Sequence, residues 1–301
     1  MQPSPCLRLP RDERLFPSLE EVLALESEPV KAKPALREIE NFLDRIAPPT
    51  LAEDWDPVGL QVGNRAEEIH GVLVALDVTE AALWEAVEHD CNLLVTHHPL
   101  FFKALTRLDD STPAARYARL AAQMDVSILS FHTNLDAADR GLNQDLAKKL
   151  KLRSVRPLLP SRDRRHPKAG LGRIGSVAPT KLKHWLPKAA KALGLKNLRY
   201  VGDPLHPLRR IAVMTGSGGA YFSAAKAAGA DLLVTGDVKY HDALDALGDG
   251  IAMVDIGHFS GEIGMLPLLA HELRSWAKRK KYQLPIFESR SGADPFQFWN
   301  L

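Results

Sequence analysis

From residue 71 onward, short apolar runs alternate with segments whose apolar positions recur at helical spacing. Residues 72–76 read as a strand, because a run of Val, Leu and Ala with no polar break suits a strand buried on both faces. Thr79 is placed to cap a following helix, and Ala82, Leu83, Ala86 and Val87 mark that helix's apolar face. Residues 93–96 form a second apolar run that ends in His97-His98-Pro99. Residues 101–111 read as a loop, and Pro113 suits the first turn of a helix reaching Met124. Residues 126–131 predict a third strand, followed by the polar cluster 132–138. Upstream, Leu36, Ile39, Phe42, Leu43 and Ile46 predict a helix over 34–46, which Pro48-Pro49 ends. Residues 54–63 read as a structured loop, with Trp55 a core anchor more readily than a pocket wall.

The rhythm then repeats. Residues 71–96 align without a gap on residues 210–235, and Leu93-Leu94-Val95-Thr96 falls on Leu232-Leu233-Val234-Thr235. A register kept over a whole strand–helix–strand unit points to internal duplication. In the second copy the chain after the repeated strand reads Gly236-Asp237-Val238-Lys239-Tyr240-His241, and its third strand, 251–256, runs into Gly257-His258-Phe259-Ser260-Gly261-Glu262. Between the copies, residues 160–168 read as an exposed connector, and Lys181–Leu193 as a helix with Pro187 inside it. Strands alternating with helices imply an α/β protein: two pseudo-repeated lobes, 34–160 and 161–301, with mixed, mostly parallel sheets facing a central cleft. Residues 1–33 carry five prolines and mixed charges and read as a flexible extension, with at most one short helix near Leu19–Leu25.

Charge and cysteine content narrow the classes. A formal net charge of +2 over 301 residues gives no footprint for nucleic acid or an anionic membrane. No apolar run reaches the length of a membrane span, and the N-terminus lacks a secretory core. Two cysteines, Cys6 and Cys91, make no disulfide framework, so a cytoplasmic, reducing location is expected.

The chemistry gathers where the strands end. In open α/β sheets ligands sit just past the carboxyl ends of the strands. His97, His98, Asp136, His258 and Glu262 all fall at such ends. Neighbouring residues on a straight strand point to opposite faces, so His97 and His98 reach one site only if the chain turns, which Pro99 favours. His258 and Glu262 are spaced to share one side of a helical turn. Imidazole nitrogen with carboxylate oxygen suits zinc, manganese or iron. Five ligands are too many for one tetrahedral ion but suit two sharing a carboxylate. Each taken alone has a plainer reading: a packed histidine, Asp136 as a helix cap, or Glu262 favoured by a helix dipole. Gly216-Ser217-Gly218-Gly219 reads either as an anion cradle or as a tight strand-to-helix turn.

The stretches LLVTHHPLFF, HTNLDAADRGLN, LLVTGDVKYHDALDA and GHFSGE, with WDPVGLQVG before them, resemble the GTP cyclohydrolase 1 type 2 family, also called the NGG-one-interacting-factor-three-like family, over residues 34–301. The resemblance implies two divalent metal ions, ligated separately by His97 with Asp136 and by His98 with His258, with Glu262 bridging. It also implies a ring-shaped homohexamer and opening of the GTP imidazole ring at C8 by metal-activated water, releasing formate. His132, His241 and Asp237 are the candidates to move protons, each with an orienting role as the alternative. Pro57 stands where the family has asparagine, and the short connector leaves no room for the extra domain some members carry. Two other functions stay open: a metal-dependent phosphoesterase or amidohydrolase acting on a small, nucleotide-like metabolite, and a metal-stabilised regulatory or scaffold protein.

Overall fold

The computed structural model describes residues 33–299. The expected flexible extension, with its helix near Leu19–Leu25, lies outside the described residues apart from Lys33. In chain order the strands are β1 (Gly59–Val62), β2 (Val72–Ala75), β3 (Leu93–Thr96), β4 (Ser127–Ser130), β5 (Arg153–Pro160), β6 (Gly170–Lys181), β7 (Arg199–Val201), β8 (Pro207–Val213), β9 (Leu232–Thr235), β10 (Ala252–Asp255) and β11 (Ile286–Glu288). They form two sheets, in the order β1-β4-β3-β2-β11 and β5-β6-β8-β9-β10-β7.

The duplication is visible in the pairing. Each sheet has a parallel core of three strands, β2-β3-β4 in one and β8-β9-β10 in the other. Each core is flanked at one end by an antiparallel strand, β1 against β4 and β7 against β10. The copies diverge at the other end. There β2 takes β11 in parallel, whereas β8 takes the antiparallel β6-β5 hairpin. Outside its core the second sheet is antiparallel, so both sheets are mixed, as expected, with most of the parallel pairing in the two cores. β5 begins the second sheet eight residues before the expected lobe boundary, and residues 161–169 are the tip of a hairpin rather than a linker. β1 lies in the stretch that reads as loop, and β11 has no signal of its own in the sequence.

The local expectations hold where they rest on strong signals. Thr79 accepts a hydrogen bond from the Ala82 amide, and Pro113 opens the helix Pro113–Gln123 behind the N-cap Thr112. The helix Glu80–Glu88 buries Ala82, Leu83 and Ala86, but Val87 is exposed. β2, β3, β9 and β10 are buried along their whole length, each buried Val or Leu contributing roughly 1.5–3 kcal/mol.

A reciprocal exchange ties the lobes. Beyond β4, Leu146 and Ala147 of the helix Leu142–Lys149 pack into the core of the second sheet. Beyond β10, Met265, Leu269, Leu273 and Trp276 of the helix Met265–Lys280 pack into the core of the first. Each crossing starts from a five-residue helix, Thr133–Ala137 after β4 and His258–Glu262 after β10. These two short helices bring the carboxyl ends of both sheets to one cleft. Arg173 of β6, a fully buried guanidinium, donates to the Ala138 carbonyl at 2.5 Å and to the Gly170 and Gly172 carbonyls at 2.7 and 2.8 Å. It thereby satisfies a carbonyl at the end of helix Thr133–Ala137 from the other lobe. Among the described residues no helix is long and apolar enough to cross a membrane.

Candidate metal centre

The chain does turn after β3. Thr96 is the pivot: its hydroxyl donates to the His98 carbonyl at 3.0 Å and sits 2.8 Å from the Ser130 hydroxyl. The His98 amide returns to the Leu76 carbonyl at 3.0 Å. Both imidazoles consequently face one point, their ring centroids 5.0 Å apart.

Each histidine is fixed through one nitrogen and presents the other. His97 donates from Nδ1 to the Phe131 carbonyl at 2.9 Å, His98 to Asp77 at 2.7 Å and His258 to Asp237 at 2.7 Å. A ring that donates from Nδ1 leaves the Nε2 lone pair for a cation, the arrangement found around ligating histidines. The three Nε2 atoms converge on Glu262. Its Oε1 lies 3.5 Å from His97, and its Oε2 lies 3.1 Å from His98 and 2.9 Å from His258. Asp136 approaches His97 from the other side at 3.9 Å. The five residues make two groups of possible ligands, His97–Asp136–Glu262 and His98–His258–Glu262, with Glu262 in both, and a third group, His97–His98–His132, adds the His132 imidazole beside the pair.

The donor set fits divalent cations. Ligand atoms about 2.0–2.1 Å from a tetrahedral ion stand roughly 3.3 Å apart. The His98 and His258 Nε2 atoms are 3.3 Å apart, and the other separations scatter around that value. His97 Nε2 and Glu262 Oε2 are both buried, and Oε2 faces the imidazole nitrogens of His98 and His258. Imidazole nitrogens crowded on one buried carboxylate need either protons or a cation between them. Left to protons alone, the cluster is strongly coupled. Burial pulls the His98 imidazole down, but Asp77 and Glu262 push it up to about 10. Glu262 pushes His258 to about 9 against burial. Burial opposes ionisation of Glu262, yet the imidazoles hold it well below the usual carboxylate range. Burial pushes Asp136 up, and the Thr215 hydroxyl, donating at 2.8 Å, works against that.

Glycine makes room for the shared carboxylate. Gly216 has φ +66°, and a Cβ there would stand 2.4 Å from Glu262 Oε1. The Gly218 amide donates to the Thr235 hydroxyl at 2.8 Å. The glycine stretch 216–219 therefore serves as a tight turn against the site.

The three proton-moving candidates separate. His132 lines the cleft, its Nδ1 3.0 Å from Asp56 Oδ2 and its ring 5.0 Å from that of His97. Burial raises the Asp56 pKa, but His132 and Thr133 outweigh it and hold the carboxyl below its ordinary value. Asp237 supports His258 from behind. His241 is exposed on the helix Tyr240–Gly248, against the Tyr240 ring, and is not among the residues lining the cleft. Trp55, expected in the core, is 61% exposed and walls the cleft instead. Sequence reasoning missed Asp77 and Asp56. Asp77 carried a usable signal, since it follows a strand end at the same level as His97 and Asp136; Asp56, in a loop, carried none. The cleft has a volume of about 680 Å³, within the range of small-molecule sites.

Comparison with known proteins places these features in a family. The chain is 34% identical over 264 residues to a Clostridium perfringens protein named GTP cyclohydrolase 1 type 2 homolog, covering 87% of this chain and 99% of that one. A Streptomyces coelicolor protein of the same name is 34% identical over 267 residues, covering 87% and 94%. Among solved structures, a hypothetical protein of Staphylococcus aureus superposes with a TM-score of 0.82 at 31% identity, covering 89% of this chain and 100% of that one. Reduced HcgD from Methanocaldococcus jannaschii superposes with a TM-score of 0.69 at 26% identity, covering 84% and 98%. The family model described as Duf34/NIF3 (NGG1p interacting factor 3) matches residues 34–295, and this chain, with its duplicated lobes and shared-glutamate cluster, belongs to that family.

Proposed function

We propose that this protein is a metal-dependent hydrolase that holds two divalent cations, one at His97, Asp136 and Glu262 and the other at His98, His258 and Glu262. The observation that carries the reading is the buried Glu262 carboxylate shared by two ligand groups at the floor of an open cleft. When bound, such a pair lowers the pKa of water and stabilises developing negative charge on the substrate. The chain's own groups do the rest. Asp77 and Asp237 orient His98 and His258, Thr215 orients Asp136, and His132, steadied by Asp56, exchanges a proton with the reacting group. The Trp55 and Phe102 rings stand edge-on to the His132 ring, 5.9 and 5.6 Å away between centroids, and line the cleft beside it.

The relatives' name makes hydrolysis of a purine imidazole ring the first reaction to test. Protein loaded in turn with zinc, manganese or iron is offered GTP, and formate is measured. Formate release that disappears in His97→Ala and Glu262→Ala supports the reading. A second reading, an amidohydrolase acting on a small ring or amide, is favoured over a phosphoesterase by the absence of Lys and Arg from the described lining of the cleft. Ammonia or a free acid released without formate would select it. Turnover of no substrate by fully loaded protein would leave the scaffold reading. The hexamer implied by the resemblance is checked by sedimentation velocity.

A further inference from the structure

The tip of the β5-β6 hairpin folds back onto the first lobe and closes a second cavity there, of about 380 Å³. Its lining shares no residue with that of the cleft. Arg45 follows the helix Leu36–Leu43, Arg140 follows the helix Thr133–Ala137, and Arg165, His166 and Lys168 come from the hairpin tip. Stretches far apart in the chain thus set guanidinium, ammonium and imidazole groups around one hollow.

The wall formed by the tip is fixed. The Ser161 amide donates to the Ala169 carbonyl at 2.9 Å, and the His166 amide to the Asp163 carbonyl at 3.0 Å. Thr50 of the first lobe donates to Asp163 at 2.8 Å, and Arg165 grips the same carboxylate with two bonds of 2.9 and 2.7 Å. The tip is therefore pinned across the lobes with its cations in place.

Charge decides what the hollow accepts. Like charges gathered in a concave surface repel one another and draw in counter-ions. Among the described residues Arg45 and Lys168 make no ion pair, and Arg140 comes no closer than 3.9 Å to Glu272. Asp139 is the acid in the lining, and its charge is met by the buried guanidinium of Arg173. Burial lowers Arg173 to about 10, and Asp139, then Asp136, act to raise it. The hollow keeps a surplus of positive charge that the net +2 of the whole chain conceals. Guanidinium groups meet phosphate oxygens with paired N–H donors, and ammonium groups meet them as point charges. Cations arriving from several sides of a cavity at the small end of the ligand-pocket range match oxygens spread along a chain of phosphates better than a single phosphate.

We propose that this hollow binds a di- or triphosphate group, with Arg45 and Lys168 as its principal contacts. The site stands apart from the hydrolase reading, because no candidate metal ligand lines it.

Calorimetric titration of the full chain, as purified and after chelator treatment, with orthophosphate, pyrophosphate and tripolyphosphate tests the proposal. Chelator treatment should leave one pyrophosphate site per chain, with tripolyphosphate as tight or tighter and orthophosphate weaker. Arg45→Gln and Lys168→Gln should each weaken that site by about tenfold, the loss expected for one charge-assisted hydrogen bond. Arg164→Gln, an exposed arginine of the same tip outside the lining, should leave it unchanged. All three side chains are exposed, so the variants should fold, as a circular dichroism melt would confirm. ADP that binds as tightly as pyrophosphate would assign the site to a phosphate ester, and exclusion of ADP would assign it to the free ion. No pyrophosphate binding by the chelator-treated chain would overturn the proposal, as would unchanged affinity in both lining variants. An equal loss in Arg164→Gln would overturn it by revealing a diffuse cationic surface. A single-stranded oligonucleotide that outcompetes tripolyphosphate, with affinity growing with its length, would overturn it in favour of a nucleic-acid path.

Discussion

Gly216→Ala tests the site without touching a ligand. Two costs are separable in it. The first is backbone: at φ +66° an L-residue pays roughly 1–2 kcal/mol in the left-handed region. The second is contact: the new Cβ would lie 2.4 Å from Glu262 Oε1, so one of them must move by about an ångström to reach ordinary carbon–oxygen separation. Glu262 is 2% exposed, hemmed by three imidazoles, and ends a helix of only five residues. It can yield only by leaving the position where it serves both ligand groups. Gly194→Ala is the matched control, because Gly194 has φ +70° and nothing within 4 Å of its would-be Cβ. The control should lose about 1–2 kcal/mol and keep its metal. Gly216→Ala should lose that amount and about 1–3 kcal/mol more from overpacking. Its metal affinity should also fall by about tenfold to a hundredfold, the usual effect of disturbing the support of a ligand. Denaturant melts of the chelator-treated proteins measure the first quantity, and competition against a chromophoric chelator measures the second. Wild-type metal affinity in Gly216→Ala, or equal behaviour of the two variants, would refute the reasoning that Glu262 is held in place by the absence of a side chain opposite it.

Three further outcomes are expected. Asp77→Asn and Asp237→Asn should each weaken metal binding by about tenfold to a hundredfold at one ion while sparing the other, seen as a split in a two-site chelator titration, because each loses the acceptor that fixes one imidazole. In the metal-free protein His98 and His258 are raised to about 10 and about 9, so their contribution to stability is complete below the unfolded value near 6.5 and disappears as pH rises through 9–10. Metal binding must displace those protons, so metal affinity should climb with pH over the same window; affinity independent of pH between 6.5 and 9 would contradict the protonated cluster. Asp44, which follows the helix Leu36–Leu43, is raised to about 6 by burial and then by Glu40, with Arg65 opposing. An acid with a raised folded pKa destabilises once it ionises, so Asp44→Asn should stabilise by about 1 kcal/mol at pH 7, after discounting for partial exposure, and by almost nothing at pH 3, as urea melts at the two pH values would show.

Much of the architecture was legible in the order of residues. Buried parallel strands must be apolar over most of their length, so β2, β3, β9 and β10 stand out as short apolar runs, broken only by Thr96, Thr235 and Asp255 at the last positions of β3, β9 and β10, and Thr79 and Pro113 announce their helices by local chemistry. The gapless match of residues 71–96 with 210–235 became two sheets with the same three-strand core. The candidate ligands were legible because strand ends are where such sheets expose polar groups, and histidine and carboxylate residues at several strand ends are hard to explain by packing alone. β11 escaped notice because a three-residue strand at the far end of the chain pairs with β2 through backbone contacts that carry no side-chain signature. The hairpin β5-β6 was hidden by its charged tip, which resembles a linker when read alone.

The chain order alone specified which groups sit at strand ends, because strand-forming runs and their terminating residues are local properties. Whether those groups meet was decided by packing across the whole molecule. Helix Leu142–Lys149 packs into the second sheet's core and helix Met265–Lys280 into the first's, a crossing that no periodicity records because each helix shows only that it has an apolar face, not whose core covers it. That exchange sets Glu262 between His97 and His98, more than 160 residues away in sequence, and turns two half-sites into one cluster. The supports of the site follow the same logic. Asp77, Asp56, Gly216 and Arg173 are ordinary loop and strand residues until the fold brings each against the imidazole, carboxylate or carbonyl it serves.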